Sequence, residues 1–150
     1  MPVITFETLV HAPIERCFDL NLDVDVHAAA FADTGERAVA GVTHGRLGPG
    51  DTVTWEAVHF GLRQRLTTRI TLYDRPHRFQ DEQVGGAFHR FRHLHTFTTV
   101  ADGTLMTDHF DYESPLGPLG RLADRLFLRR YVERLLRQRA TAVRAACEAL

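Results

Sequence analysis

The chain has 150 residues, 44% of them hydrophobic and 25% charged, with a formal net charge of −1. That is the size and composition of one globular domain, 1–150, able to bury a core without staples. The balanced charge excludes the cationic surface that sequence-independent nucleic-acid binding needs, and because all 18 basic residues are arginine, Schiff-base chemistry on a lysine is excluded too.

Val3 to Val10 reads as a first strand. Pro13 suits a first helical turn, and Ile14, Cys17 and Phe18 make one face of a short helix. Asp23 to Phe31 is a second short, irregular helix, and Glu36 to Val42 a weak strand. From Thr52 the period is 2: Val53, Trp55, Ala57 and His59 share one face, and after Gly61 so do Leu62, Gln64, Leu66, Thr68, Ile70 and Leu72. Arg63, Arg65 and Arg69 occupy the opposite face, the pattern of a sheet wet on one side; Glu56, Asp111 and Glu113 are expected to balance them from the outward side.

Phe79 to Val84 is a short strand. Ala87 to Val100 is a long one with His89, Phe91, His93, His95 and Phe97 on one face. Asp102-Gly103 signals a two-residue hairpin, returning through Thr104 to Tyr112 with Met106, Asp108, Phe110 and Tyr112 together. From about Leu119 onward, Leu122, Leu126, Val132, Leu135, Leu136, Val143 and Ala146 recur at helical spacing between arginines. A helix that long must bury its apolar stripe, and the sheet's apolar face is the large partner available. The expected fold class is therefore α+β, a curved antiparallel sheet of about seven strands with two short helices and one long C-terminal helix packed across it.

The two cysteines, Cys17 and Cys147, have no metal-site or redox spacing; a reduced setting is expected, with one long-range bridge as the alternative. The first residues lack a signal-peptide pattern, and no apolar run approaches the ~20 residues of a membrane helix. A cytoplasmic protein without a membrane span is expected. The glycines from Gly45 to Gly50 precede a strand and lack a P-loop lysine, and there is no Gly-x-Ser-x-Gly elbow.

The segments Gly50-Asp51-Thr52-Val53-Thr54-Trp55, His59-Phe60-Gly61, Arg75-Pro76, Phe79-Gln80-Asp81, Gly86-Ala87-Phe88 through His93-Leu94-His95-Thr96-Phe97, Gly103-Thr104-Leu105-Met106-Thr107-Asp108 and Pro115-Leu116-Gly117-Pro118-Leu119-Gly120 resemble those of the START-like superfamily. That superfamily (also SRPBCC) includes polyketide cyclases/dehydrases, pollen-allergen-type carriers and coenzyme-Q-binding proteins. The resemblance spans nearly the whole chain and implies a helix-grip fold with a deep cavity between sheet and terminal helix. The residues lead to the same place, since a bent sheet cannot lie flush along a straight helix.

Within such a cavity the informative residues are polar groups on the apolar face: His59, His93, His95 and Asp108. Buried unpaired, each would cost about 1–3 kcal/mol. A two-residue loop at Asp102-Gly103 places Asp108 across from Phe97 and diagonal to His95; a register shifted by two places it directly opposite His95. An Asp108–His95 pair, with His93 beside it, is the local site hypothesis. It reads first as a hydrogen-bond network that orients a ligand's polar end, second as acid/base machinery, and third as a metal site, His-x-His with Asp108 or His59. Trp55, Gln64, Thr68, Phe91, Phe97, Met106, Phe110 and Tyr112 are the remaining candidate lining residues. The expected function is binding of a small, largely hydrophobic ligand (polyketide, quinone or lipid-like) by a carrier or sensor, with no cofactor, no metal and no nucleic acid. The alternatives are a cyclase/dehydratase using His95, His93 and Asp108, and an interaction module with a solid core. The sequence leaves the oligomeric state open.

Overall fold

A computed structural model of the chain describes residues 3–149. Chain order is β1 (Val3–Val10), α1 (Ile14–Asn21), α2 (Val24–Ala30), β2 (Arg37–Gly41), β3 (Thr52–His59), β4 (Leu62–Asp74), β5 (Arg78–Gly85), β6 (Arg90–Val100), β7 (Gly103–Glu113), α3 (Gly117–Ala123) and α4 (Arg129–Glu148), with a π-helical turn over Asp124–Leu128 joining the last two. The seven strands form one antiparallel sheet in the order β1-β7-β6-β5-β4-β3-β2. This is the helix-grip arrangement, α+β with a long C-terminal helix. β2 to β7 run as a meander, each strand pairing with the next in sequence, and β1 joins the meander's far edge by pairing with β7.

The outer face is wet, as the arginine alternation requires, but Glu56 is only 5% exposed. It lies beneath Arg37 at 3.1 Å and Arg65 at 2.9 Å, whose long side chains cover it. On the inner face Phe18 of α1 is fully buried among Tyr73, Phe79 and Phe97. A second cluster joins Phe6, Phe91, Phe110 and Tyr112 to Val132 and Ala140 of α4. Cys17 and Cys147 are free thiols buried in the first cluster.

Three inward expectations need correcting. Leu62 is 65% exposed, because β4 begins at a hairpin tip that overhangs the sheet. His89 is exposed, because β6 begins one residue later, at Arg90. Leu122 and Leu126, expected in the buried stripe, are 51% and 66% exposed. The π-helical turn inserts an extra residue there and re-aims the helix. Its anchor is Asp124, which accepts a hydrogen bond from the Tyr112 hydroxyl and lies 3.5 Å from Ser114 Oγ. Burial, and then the Asp124 carboxylate, push the Tyr112 phenol well above its ordinary pKa. Tyr112→Phe leaves the Asp124 carboxylate without its main donor. It should lower stability by about 1–3 kcal/mol in urea unfolding, without changing the strand content seen by circular dichroism.

α4 rests on α1, α2 and β1, and stands off from the middle of the sheet. The space left there positions the site.

Candidate functional site

A cavity of about 360 Å³ lies between the inner faces of β3 to β7 on one side and α2 and α4 on the other. It is within the ~300–1,000 Å³ typical of small-molecule sites. Its walls are mainly apolar: Val53, Leu66 and Ile70 from the sheet, Val132, Leu135 and Leu136 from α4.

The polar wall is built by three adjacent strands. The β6–β7 register pairs His95 with Asp108, and the β5–β6 register pairs His93 with Asp81. Alternation points all four inward. The two shortest contacts run diagonally, His93 to Asp108 and His95 to Asp81. Asp108 Oδ1 is 2.8 Å from His93 Nε2 and 3.4 Å from His95 Nδ1, and Asp81 Oδ1 is 2.9 Å from His95 Nε2. The two imidazoles stack at 3.7 Å between centroids, Phe79 stacks on His95 at 4.2 Å, and Phe110 meets His93 edge-on at 5.2 Å. Rings packed on both sides hold the imidazoles in place. Burial, and then the neighbouring His95, push the His93 imidazole down to about 4 against the pull of Asp108. Burial works to raise the carboxyls of Asp108 and Asp81, but their histidine neighbours outweigh it and hold both below the usual range. At neutral pH this wall carries two carboxylates and an uncharged His93.

The turn differs from expectation. Ala101 and Asp102 form it, and Gly103 pairs with Val100 as the first residue of β7. This is the register shifted by two, and it puts Asp108 opposite His95 rather than Phe97. Gly103 has φ 149°, and a Cβ there would lie 2.1 Å from the Val10 carbonyl oxygen. The glycine serves the close approach of β1 rather than the turn.

The helix wall contributes a second polar group. Arg139 of α4 is 8% exposed. It donates to the Asn21 carbonyl at 2.8 Å, to Asn21 Oδ1 at 3.2 Å and to His27 Nδ1 at 3.1 Å. Since arginine only donates, His27 Nδ1 is the unprotonated ring nitrogen, and its Nε2 faces Glu36 Oε2 at 3.1 Å. His27 also stacks on Trp55 at 4.2 Å. At the β3–β4 tip, Phe60 and Gly61 have φ of 54° and 74°, the two left-handed residues of a type I′ hairpin. The turn presents Phe60 to Tyr131 and Phe127 of the terminal helix. His59 Nδ1 lies 2.6 Å from the Tyr131 hydroxyl, and burial lowers the His59 pKa. Phe60 lines the cavity yet is 58% exposed, so the cavity reaches the surface here.

Of the residues expected at the site, Trp55, His59, Gln64, Thr68, Phe91, Phe110, His93 and His95 line the cavity. Asp108 stands behind the two histidines. Phe97 and Met106 are inward but belong to the solid cluster under α1, and Tyr112 is taken up by Asp124. Alternation separates inner from outer face, not cavity from core. Asp81, His27 and Arg139 were missed. Asp81 shares the face of Phe79 two residues away, a signal present in the sequence; His27 and Arg139 carried none.

The family model described as "Polyketide cyclase / dehydrase and lipid transport" matches residues 1–148. Among solved structures, the chain is 25% identical to a protein from Thermus thermophilus, TTHA0849, with a TM-score of 0.74, covering 97% of this chain and 99% of that one. Protein Ms6760 from Mycobacterium smegmatis is 23% identical, with a TM-score of 0.69 and coverage of 96% and 89%. The Zhui aromatase/cyclase from a Streptomyces species is 19% identical, with a TM-score of 0.72 and coverage of 98% and 93%, a likeness of fold. No curated protein matches the chain. Among the described residues no helix is long and apolar enough to cross a membrane.

Proposed function

Because the chain belongs to the polyketide cyclase/dehydrase and lipid transport family, we propose that it binds a small, mostly apolar molecule bearing one or two oxygen functions, as a carrier or sensor. The observation that carries this reading is the cavity itself: largely apolar, with polar side chains grouped at the Asp81/His93/His95 wall, around Arg139 and His27, and at His59, Gln64 and Thr68. Apolar contact would supply most of the affinity, at roughly 25 cal/mol per Å² buried before the cost of association. The imidazoles and Arg139 would orient the ligand's oxygens. Phe60, Phe127 and Tyr131 mark the way in.

A neutral fluorophore, N-phenyl-1-naphthylamine, tests the reading. It should bind the wild-type chain with enhanced, blue-shifted emission. Ala57→Phe, projecting from a 5%-exposed position on the cavity wall, should weaken it about tenfold or more (~1.4 kcal/mol) while the chain stays folded. Unchanged binding to a folded Ala57→Phe variant would place the probe elsewhere and remove the reading. The imidazole–carboxylate contacts favour one second reading, proton transfer to or from a bound carbonyl compound by His93 or His95.

A further inference from the structure

We infer that α3 and the π-helical turn, together with the β3–β4 hairpin tip, form a surface that docks on an anionic lipid bilayer. Among the described residues eleven large hydrophobic side chains are exposed, and seven of them fall on these elements. Leu116, Leu119, Leu122, Leu126 and Phe127 lie on the helical side, Phe60 and Leu62 at the hairpin tip. The two groups meet where the Phe60 and Phe127 rings stand 5.8 Å apart between centroids. Leu119, Leu122 and Leu126 are spaced three and four residues apart, so they form one stripe. The buried positions of the same segment, Gly120 and Asp124, are four apart and belong to another side. A helix at the surface of a globular domain turns its leucines inward; this one turns them out, beside two exposed aromatic rings. Single exposed leucines are ordinary, but a joined group of this size marks a surface that meets something apolar.

Charge identifies the partner. Ten of the 18 arginines lie within 4.0 Å of a carboxylate. Five successive ones, Arg121, Arg125, Arg129, Arg130 and Arg134, are exposed and have no such partner among the described residues. The one acid between Pro115 and Val132 is Asp124, which is buried and accepts from the Tyr112 hydroxyl. Exposed leucines set among unpaired guanidiniums match the two layers of a lipid interface. Acyl chains take the apolar side chains, and phosphates take the arginine N–H groups. A second copy of the chain fits less well, because a two-fold contact sets the patch against itself and brings arginine to arginine with no exposed carboxylate between. The chain would lie on the bilayer, since no described helix is long and apolar enough to cross it.

The place of the patch gives docking a use. Phe60 lines the cavity and is also exposed, so the patch borders the cavity's opening. A bilayer held there would let an apolar molecule pass between acyl chains and cavity without crossing water. Only that use rests on the ligand-binding reading above; the docking surface stands without it.

The test is flotation of the full chain with vesicles at pH 7.5, either phosphatidylcholine alone or three parts phosphatidylcholine to one part phosphatidylglycerol. The wild-type chain should bind the anionic vesicles at least about tenfold more tightly than the neutral ones, and less tightly as salt is raised. Leu122→Ser combined with Leu126→Ser should weaken binding about tenfold or more. Arg121→Gln combined with Arg125→Gln should weaken it about 10–25-fold. All four side chains are exposed, so both variants should stay folded, as urea unfolding checks. Arg69→Gln combined with Arg92→Gln, exposed arginines of the outer sheet face, should stay within about twofold of wild type. Four results would overturn the inference. One is a wild-type chain that does not float with anionic vesicles. Another is a folded leucine variant that keeps its binding, which would describe a merely cationic surface of the kind an acidic protein seeks. The third is an equal loss in the outer-face variant. The last is a dimer in sedimentation that the leucine variant dissolves while no chain floats. Naphthylamine binding by a chain that never floats would remove this inference alone, and a floating wild-type chain that binds no naphthylamine would remove the ligand reading alone.

Discussion

Phe18→Ala should lower the unfolding free energy by about 3–5 kcal/mol, among the largest single losses available to this chain. Phe18 has no exposed surface and places its ring edge-on or steeply tilted at 5.4–5.5 Å from Tyr73, Phe79 and Phe97. It is the residue by which α1 is locked to the sheet. Surrounding rings fixed on β4, β5 and β6 cannot collapse into the void, so the cavity term adds to the lost transfer energy. The effect should reach the site, because Phe79 also stacks on His95. Urea unfolding measures the loss, with Phe60→Ala as the control. Phe60 is 58% exposed, and its replacement should cost less than about 1 kcal/mol. A loss below about 1 kcal/mol for Phe18→Ala would show that α1 is not held by this cluster.

Gly103→Ala should cost about 2–6 kcal/mol, from two sources. A φ of 149° is strained for any residue with a Cβ, worth about 1–3 kcal/mol. The added carbon would meet the Val10 carbonyl oxygen at 2.1 Å, and making room adds about 1–3 kcal/mol. Backbone obstructs it, so no side-chain rotation relieves the contact. The relief available is separation of β1 from β7, or slippage of the β6–β7 hairpin. Slippage by two would move Asp108 from opposite His95 to opposite Phe97. Hydrogen exchange should therefore show lost protection along β1 and β7, with β3 and β4 nearly unchanged. Gly50→Ala is the contrast. That glycine has φ 77° with open space around its Cβ position, so only the left-handed backbone cost of about 1–2 kcal/mol applies. Equal losses in the two variants would contradict the close-approach account.

These two positions show where sequence reasoning stops. The turn was legible as a turn, but Asp102-Gly103 read as its two central residues because the pair is the commonest local hairpin signal. What overrode it was non-local: β1 passes close to Gly103 and requires a residue without a side chain there. Asp81 lay on a short strand whose face was marked by Phe79. Its importance depends on β5 lying next to β6, a pairing of residues 14 positions apart. Arg139 sits among the arginines of a polar helix, and nothing local distinguishes it from Arg137, which is exposed on the same helix. Asn21 and His27, on α1 and α2, make the difference.

The sequence by itself determined the order of elements, the face of each central strand that turns inward, and hence the side of the sheet on which His93, His95 and Asp108 lie. Those are properties of one strand's pleat, and period 2 carries them without reference to any other segment. Only the tertiary structure decided that Phe91 and Phe110 border open space while Phe97 and Met106, equally inward, are solid core. The physical reason is that a side chain lines a cavity according to what stands opposite it. Opposite Phe97 stands Phe18 of α1; beyond His93 and His95, α4 rests on its neighbouring helices and leaves the sheet uncovered.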